Sequence, residues 1–370
     1  MTTRAGTLIV LVCLATGCAA PASSGTSQAE PPGTASAVPT SSTLGPTETP
    51  RATPSPTATP EALRWEPVDA ADGPSAREDH TWTVSGDERT ALLFGGRDGA
   101  TVHGDLWAYD LDGDAWRRLD ADGGPAARFG HEATWVDGVG LVVFAGQAGT
   151  TFFNDLWAYD PDGERWTQLP ATGAVPVARY GTCAALGPDG RLWISHGFTA
   201  EQARFSDTRA YDFESGTWTD ESPAAGARPV ERCLHGCWWT DDGELALYAG
   251  QTTGTLALAD RWSFSDGSWT EVAGSLPPDR NLYARARVDG GTIVFGGQAL
   301  EGGYRNDLWL LADGESDALP LTAAGEAPVP RSGAEMVQDP KTDRMLLFGG
   351  RNDDGARSDV WALHGSPFGS

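Results

Sequence analysis

Between residues 64 and 370 the chain returns six times to one pattern about fifty residues long. The second residue of a glycine-type pair falls at Gly96, Gly146, Gly197, Gly250, Gly297 and Gly350, at intervals of 50, 51, 53, 47 and 53. Upstream of each pair stands an arginine, at Arg77, Arg128, Arg179, Arg232, Arg280 and Arg331. Downstream comes an aspartate, at Asp105, Asp155, Asp207, Asp260, Asp307 and Asp359. Most units close on a tryptophan (Trp65, Trp116, Trp166, Trp218, Trp269), and the slot near Ala318 lacks it. A repeat this short cannot bury its own apolar face, so the units must stack on one another.

Within a unit, short β-rich runs alternate with turn chemistry. Ala91 to Phe94 leads into Gly95-Gly96, Leu106 to Tyr109 follows, and Asp112-Gly113 turns into Trp116 to Leu119. This predicts four strands per repeat, and no helix-length 3.6-residue pattern competes. Units with a Gly pair, a spaced Tyr-Asp and a Trp resemble kelch repeats, each of which forms one four-stranded blade. The resemblance spans residues 64–368 and implies an all-β fold, a six-bladed β-propeller. Trp65 stands 12 residues before Arg77, as Trp116 does before Arg128, while the last unit stops after its third strand at Asp359 to Leu363. The N-terminal strand is therefore expected to complete the last blade and remove two exposed sheet edges.

The region ahead of the repeats has a different chemistry. Arg4, the apolar run Leu8 to Val12 and small residues up to Cys18 read as a secretion signal over residues 1–18, too short to span a bilayer. Leu14-Ala15-Thr16-Gly17-Cys18 resembles the lipobox of bacterial lipoproteins, with Ala15 where that family usually carries Leu, which implies lipidation of Cys18. Residues 19–63 contain 9 Pro, 9 Thr, 7 Ser and 9 Ala and are expected to stay disordered as a linker. Its contour could reach on the order of 140 Å at about 3.1 Å per residue. Residues 64–370 then form the propeller domain. The expected location is the outer face of a bacterial membrane, reached through a lipid anchor.

Net charge is −25, and removing the charges of the first 63 residues leaves −24 on the repeats. Such a surface repels phosphate backbones, so no nucleic acid is expected as a partner. Cys183 lies four residues after Arg179; Cys233 and Cys237 lie one and five after Arg232. Alternation along the innermost strands turns Cys183 and Cys237 toward each other across blades three and four, and export favours a disulfide between them. Three free thiols are the alternative. His80, His131 and His235 share one slot three residues after the arginine, completed by Thr182, Tyr283 and Ala334. They fall in different blades, that slot is commonly His in kelch motifs, and no metal or other cofactor is expected. The turns Asp110 to Asp114 and Asp160 to Gly163 faintly echo a calcium loop but lack its bidentate Glu, and hairpins need that Asp-Gly chemistry.

The six arginines are expected to ring one mouth of the central channel. With His80, His131, His235 and Tyr283 they are the candidate ligand-binding residues, suited to carboxylates. The loops between second and third strands add Phe152, Phe153, Phe198, Phe205 and Tyr304 on that face. The competing structural reading pairs each arginine with a repeated aspartate. No catalytic residue is assigned, and no Gly-x-Ser-x-Gly, P-loop or His-Glu-x-x-His motif occurs. Galactose oxidase resembles the chain in its kelch blades, yet its copper site needs residues that cannot be mapped here. The function expected is a binding module for a glycan, cell-envelope component or protein. The alternative is an enzyme acting on an acidic sugar, similar to the six-bladed sialic-acid mutarotases.

Overall fold

The computed structural model describes residues 62–368, apart from 121, 201, 202, 225, 227, 255, 256 and 343. The signal at 1–18, the lipidation at Cys18 and the 19–63 linker up to residue 61 lie outside the described residues. Among the described residues there is no α-helix. Six antiparallel sheets follow one another, each entered at its innermost strand: Thr81–Val84, Glu132–Val136, Cys183–Leu186, Gly236–Trp239, Ala284–Val288 and Ser332–Gln338. These are blades one to six of a propeller.

Closure of the ring uses both ends of the domain. Arg64–Val68 pairs antiparallel with Val360–His364, placing Trp65 opposite Leu363, and thereby becomes the fourth strand of blade six. Leu63 is already buried, and its carbonyl accepts from the Ala324 N–H of blade five. The N-terminal strand thus welds blade six to blade five as well as first strand to last.

The core is a set of seams between blades, one apolar cluster at each of six interfaces. The closing tryptophan of one blade packs on the second strand of the blade before it. Trp116 lies 5.1 Å from Phe348, Trp166 5.3 Å from Phe94, Trp218 5.1 Å from Phe144 and Trp65 5.1 Å from Phe295. Such pairs add about 0.5–1.5 kcal/mol each beyond area burial. Blade five has Ala318 in this slot, and the space is filled from the inner side by Tyr283 against Tyr248 at 5.4 Å. One chain position is closed to any side chain: the second residue of each Gly pair. Gly96 has φ 95°, and a Cβ there would meet the His80 Cβ at 2.8 Å. The first residue of the pair also has positive φ but admits Ala145, His196 and Ala249.

Candidate functional site

The repeated arginines lie inside the protein. All six are at most 1 % exposed, and each makes at least four hydrogen bonds to its neighbours. Arg77 donates from Nη1 and Nη2 to the two Asp105 oxygens at 2.7 and 3.0 Å, from Nη1 to the Gly95 carbonyl at 2.9 Å, and from Nε to the Ser75 carbonyl at 3.0 Å. The same fork joins Arg128 to Asp155, Arg179 to Asp207, Arg232 to Asp260, Arg280 to Asp307 and Arg331 to Asp359. Burial works to raise the Asp105 carboxyl, but the Arg77 hydrogen bonds and charge outweigh it and hold it at about 2. Phe153 and Phe205 cap the guanidiniums of Arg128 and Arg179 at 4.1 and 4.2 Å. The expectation of an open arginine ring gives way to the pairing alternative: these guanidiniums have no free donor face to offer a carboxylate.

The residues of the histidine slot are buried as well, between neighbouring blades. Residues three past the arginine point into the interface with the preceding blade. His80 packs edge-on against Phe348 at 5.3 Å, His131 against Phe94 at 5.3 Å, and His235 against His196 at 5.4 Å. His131 Nε2 lies 3.0 Å from Thr81 Oγ1. Burial, then the nearby Arg128 charge, pushes the His131 imidazole down to about 3, so it stays neutral. Tyr283 accepts from the Gly236 N–H at 2.8 Å and donates to the Tyr248 carbonyl at 2.9 Å. All four side chains pack between blades, and their residues also line a small cavity of about 50 Å³ on the axis.

The residues one step earlier close the channel itself. Asp79, Gly130, Gly181, Leu234, Leu282 and Gly333 all have φ between 50° and 64°. Each N–H donates to the carbonyl of the same residue in the preceding blade: Asp79 to Gly333, Gly130 to Asp79, Gly181 to Gly130, Leu234 to Gly181, Leu282 to Leu234 and Gly333 to Leu282, at 2.8–3.2 Å. Six backbone hydrogen bonds thus form an unbroken belt around the axis, using groups that would otherwise face one another unpaired.

Charged side chains flank the belt on both sides. Toward the loops between second and third strands, Arg97 reaches Glu78 at 3.2 Å and Asp79 at 3.0 Å, and Arg351 reaches Glu78 at 3.4 Å. On the other side the innermost strands line a channel of about 440 Å³, which meets a 50 Å³ cavity at Glu132, Arg285 and Glu335. Arg285 of blade five extends across the channel to Glu132 of blade two at 3.3 Å. Its stem passes beside Gly236, where a Cβ would meet Arg285 Cδ at 3.0 Å. Burial, with Glu132 and Asp79 adding to it against the pull of Arg285, pushes the Glu335 carboxyl up to about 8. Burial also raises Glu132, against the pull of Arg285. Two carboxyls around one guanidinium form the polar lining of this channel, able to accept from and donate to a bound polar group.

Elsewhere, a disulfide joins Cys183 and Cys237 across blades three and four, with Cα atoms 5.6 Å apart, and Cys233 is a buried free thiol. The Asp110 and Asp160 carboxylates accept from the N–H groups of Asp112 and Gly113, and of Asp162 and Gly163, as turn residues do. Phe152 and Phe198 pack together at 5.9 Å on the loop face. Sequence reasoning missed Glu132, Arg285 and Glu335. Their signal was available as charges in innermost strands at positions where other repeats carry Thr81, Cys183, Ala284 or Met336.

The KLHDC2/KLHL20/DRC7 Kelch-repeats domain matches residues 57–250. Two proteins show partial likeness. One is the tRNA wybutosine-synthesizing protein 4 of Emericella nidulans, 28 % identical over 193 residues, which are 48 % of this chain and 18 % of that protein. The other is the flagellar outer-arm dynein alpha chain of Chlamydomonas reinhardtii, 29 % identical over 138 residues, 34 % of this chain and 3 % of that one. The chain therefore spans less than a fifth of the length of either relative.

Proposed function

The chain belongs to the kelch-repeat family, and from that premise we propose that it is an interaction module displayed on the outer face of a bacterial membrane. A lipid on Cys18 anchors it there, residues 19–63 hold it off the surface, and the propeller binds a glycan, a cell-envelope component or a protein. One observation carries the binding role: Glu132, Arg285 and Glu335 are polar side chains that face open space in the channel, while the repeated arginines are engaged by their own aspartates and carbonyls. The partner this favours presents both hydrogen-bond donors and acceptors, in place of the purely anionic ligand an open arginine ring would take.

A second class rests on Glu335. A carboxyl that keeps its proton to about pH 8, beside Arg285 and Glu132, has what a proton-transferring enzyme on an acidic sugar requires. The imidazole of His131 is held neutral by burial and the Tyr283 hydroxyl is spent on backbone partners at 2.8 and 2.9 Å, which favours binding over turnover.

The test is a glycan-array and sialic-acid screen of the full chain, repeated with Arg285→Ala and Glu335→Gln. Binding that falls at least tenfold in both variants supports the channel; binding unaffected by either removes it. Conversion of sialic-acid anomers, followed by NMR and lost in Glu335→Gln, would transfer the assignment to the enzyme class. For the anchor, Cys18→Ser should release the protein from membranes and lower its mass by a lipid. Unchanged partition and mass would refute lipidation.

A further inference from the structure

Blades two and one meet differently from blades one and six, and the difference leaves a receptor empty of its side chain. At the seam of blades six and one, Arg344 extends from blade six into blade one. Its Nη1 lies 2.9 Å from both Asp114 carboxylate oxygens, and its Nη2 donates to the Leu111 carbonyl. Asp114 in turn accepts from the Tyr109 hydroxyl at 2.7 Å. Arginine, aspartate, carbonyl and tyrosine thus seal the outer end of that seam.

Blade two repeats the receiving half of this arrangement residue for residue. Leu106 to Trp116 aligns without a gap on Leu156 to Trp166, so Tyr159 replaces Tyr109, Pro161 replaces Leu111 and Glu164 replaces Asp114. Asp114 and Glu164 share the same left-handed backbone, at φ 49° and 47°. The inserting half is missing: counted back from Phe348 and Phe94, the position of Arg344 is Thr90 in blade one. A cleft of about 710 Å³ opens there. The Tyr159 hydroxyl on its lining is fully buried and has no hydrogen-bond partner among the described residues, whereas Tyr211, in the same slot of blade three, donates to the Pro170 carbonyl at 2.7 Å. An unpaired buried hydroxyl destabilises the fold, and an occupant that brings it an acceptor relieves that cost. The lining holds Asp87, Asp160, Asp162 and Glu164 against Arg117 and Arg165. Arg165 is already engaged by Asp160 at 3.2 Å.

We propose that the cleft between blades one and two receives an arginine side chain of a partner protein, held as Arg344 is held at the neighbouring seam. The guanidinium donates to the Glu164 carboxylate and to the Pro161 carbonyl, and Glu164, drawn inward by that charge, accepts from the Tyr159 hydroxyl. The acidic rim and the −24 charge of the domain steer a basic segment toward it. This surface is separate from the channel, so either can fail without the other.

The experiment uses the full chain and a fluorescent hexapeptide carrying two adjacent arginines, alongside the same peptide with lysine or citrulline. The arginine peptide should bind, and citrulline, which keeps the shape and loses the charge, should bind about tenfold more weakly or not at all. Glu164→Gln, at an exposed position that leaves the fold intact, should weaken the arginine peptide about tenfold. Thr90→Arg supplies the missing arginine in cis; it should abolish peptide binding and raise the melting temperature, a gain that Glu164→Gln cancels. The proposal is overturned by absence of binding at about 1 mM peptide, by citrulline binding as well as arginine, or by peptide affinity that ignores both substitutions. Thr90→Arg leaving the melting temperature unchanged in a folded protein also overturns it.

Discussion

Arg128 is fully buried and Arg285 half-buried near the axis of the propeller, and they have opposite relations to their surroundings. Arg128 has five partners in its own blade: two oxygens of Asp155, the Ala145 and Ala126 carbonyls and the face of Phe153. Among the described residues Arg285 pairs with Glu132 alone, supplied from the opposite side of the channel, with Glu335 nearby and open volume between. The first residue occurs in all six repeats and the second in one. In a repeat protein, what recurs in every unit serves the contact each unit makes with itself and its neighbours, while what breaks the repeat is free to serve a ligand.

That contrast can be broken first at the seam. Deleting residues 64–68 removes the fourth strand of blade six together with Trp65, and should abolish cooperative unfolding, because two blades lose their shared closure. Calorimetry of the truncated protein checks this, and an unchanged transition would show that the recurring contacts alone suffice. The Cys183–Cys237 bond is a non-recurring feature that should nonetheless be structural. It closes a loop of 54 residues, so Cys183→Ala with Cys237→Ala should cost roughly 2–4 kcal/mol in chemical denaturation. No effect would place the disulfide outside the forces holding blades three and four.

The channel group is expected to show the reverse sign. Glu335 holds its proton to about pH 8 in the fold, against an ordinary value of 4.5, so between those values the folded protein binds more protons than the unfolded chain. Stability contributed through this group is therefore lost as pH rises through that window. Glu335→Gln should flatten the decline: least difference from the parent protein near pH 4.5, and a higher melting temperature at pH 8. Identical pH profiles would mean that Glu335 titrates normally and that the channel is as wet as the surface.

The fold was legible because its signals recur. Six Gly pairs, six Arg–Asp spacings and the lone strand at Trp65 each point to one propeller, and the alternation of side chains along the innermost strands was enough to bring Cys183 to Cys237. The same alternation, carried to His80, His131 and His235, sends them into the preceding blade, at an odd offset like that of Cys237. Their packing between blades was therefore legible in the sequence itself. The belt of positive-φ residues from Asp79 to Gly333 was hidden because Asp, Leu and Gly share no side-chain signature; only the ring geometry makes them equivalent. Glu132 and Arg285 are 153 residues apart, and nothing in spacing alone pairs opposite blades.

The most direct test compares Arg331→Ala with Arg285→Ala by equilibrium chemical denaturation of the full chain. Arg331→Ala leaves Asp359 and the Gly349 carbonyl without their partner and should cost about 3–5 kcal/mol. Arg285→Ala leaves carboxyls that face open channel space and can take up protons, and should cost about 1 kcal/mol or less. Equal losses, or the larger loss at Arg285, would contradict the division between a recurring structural frame and a non-recurring binding channel.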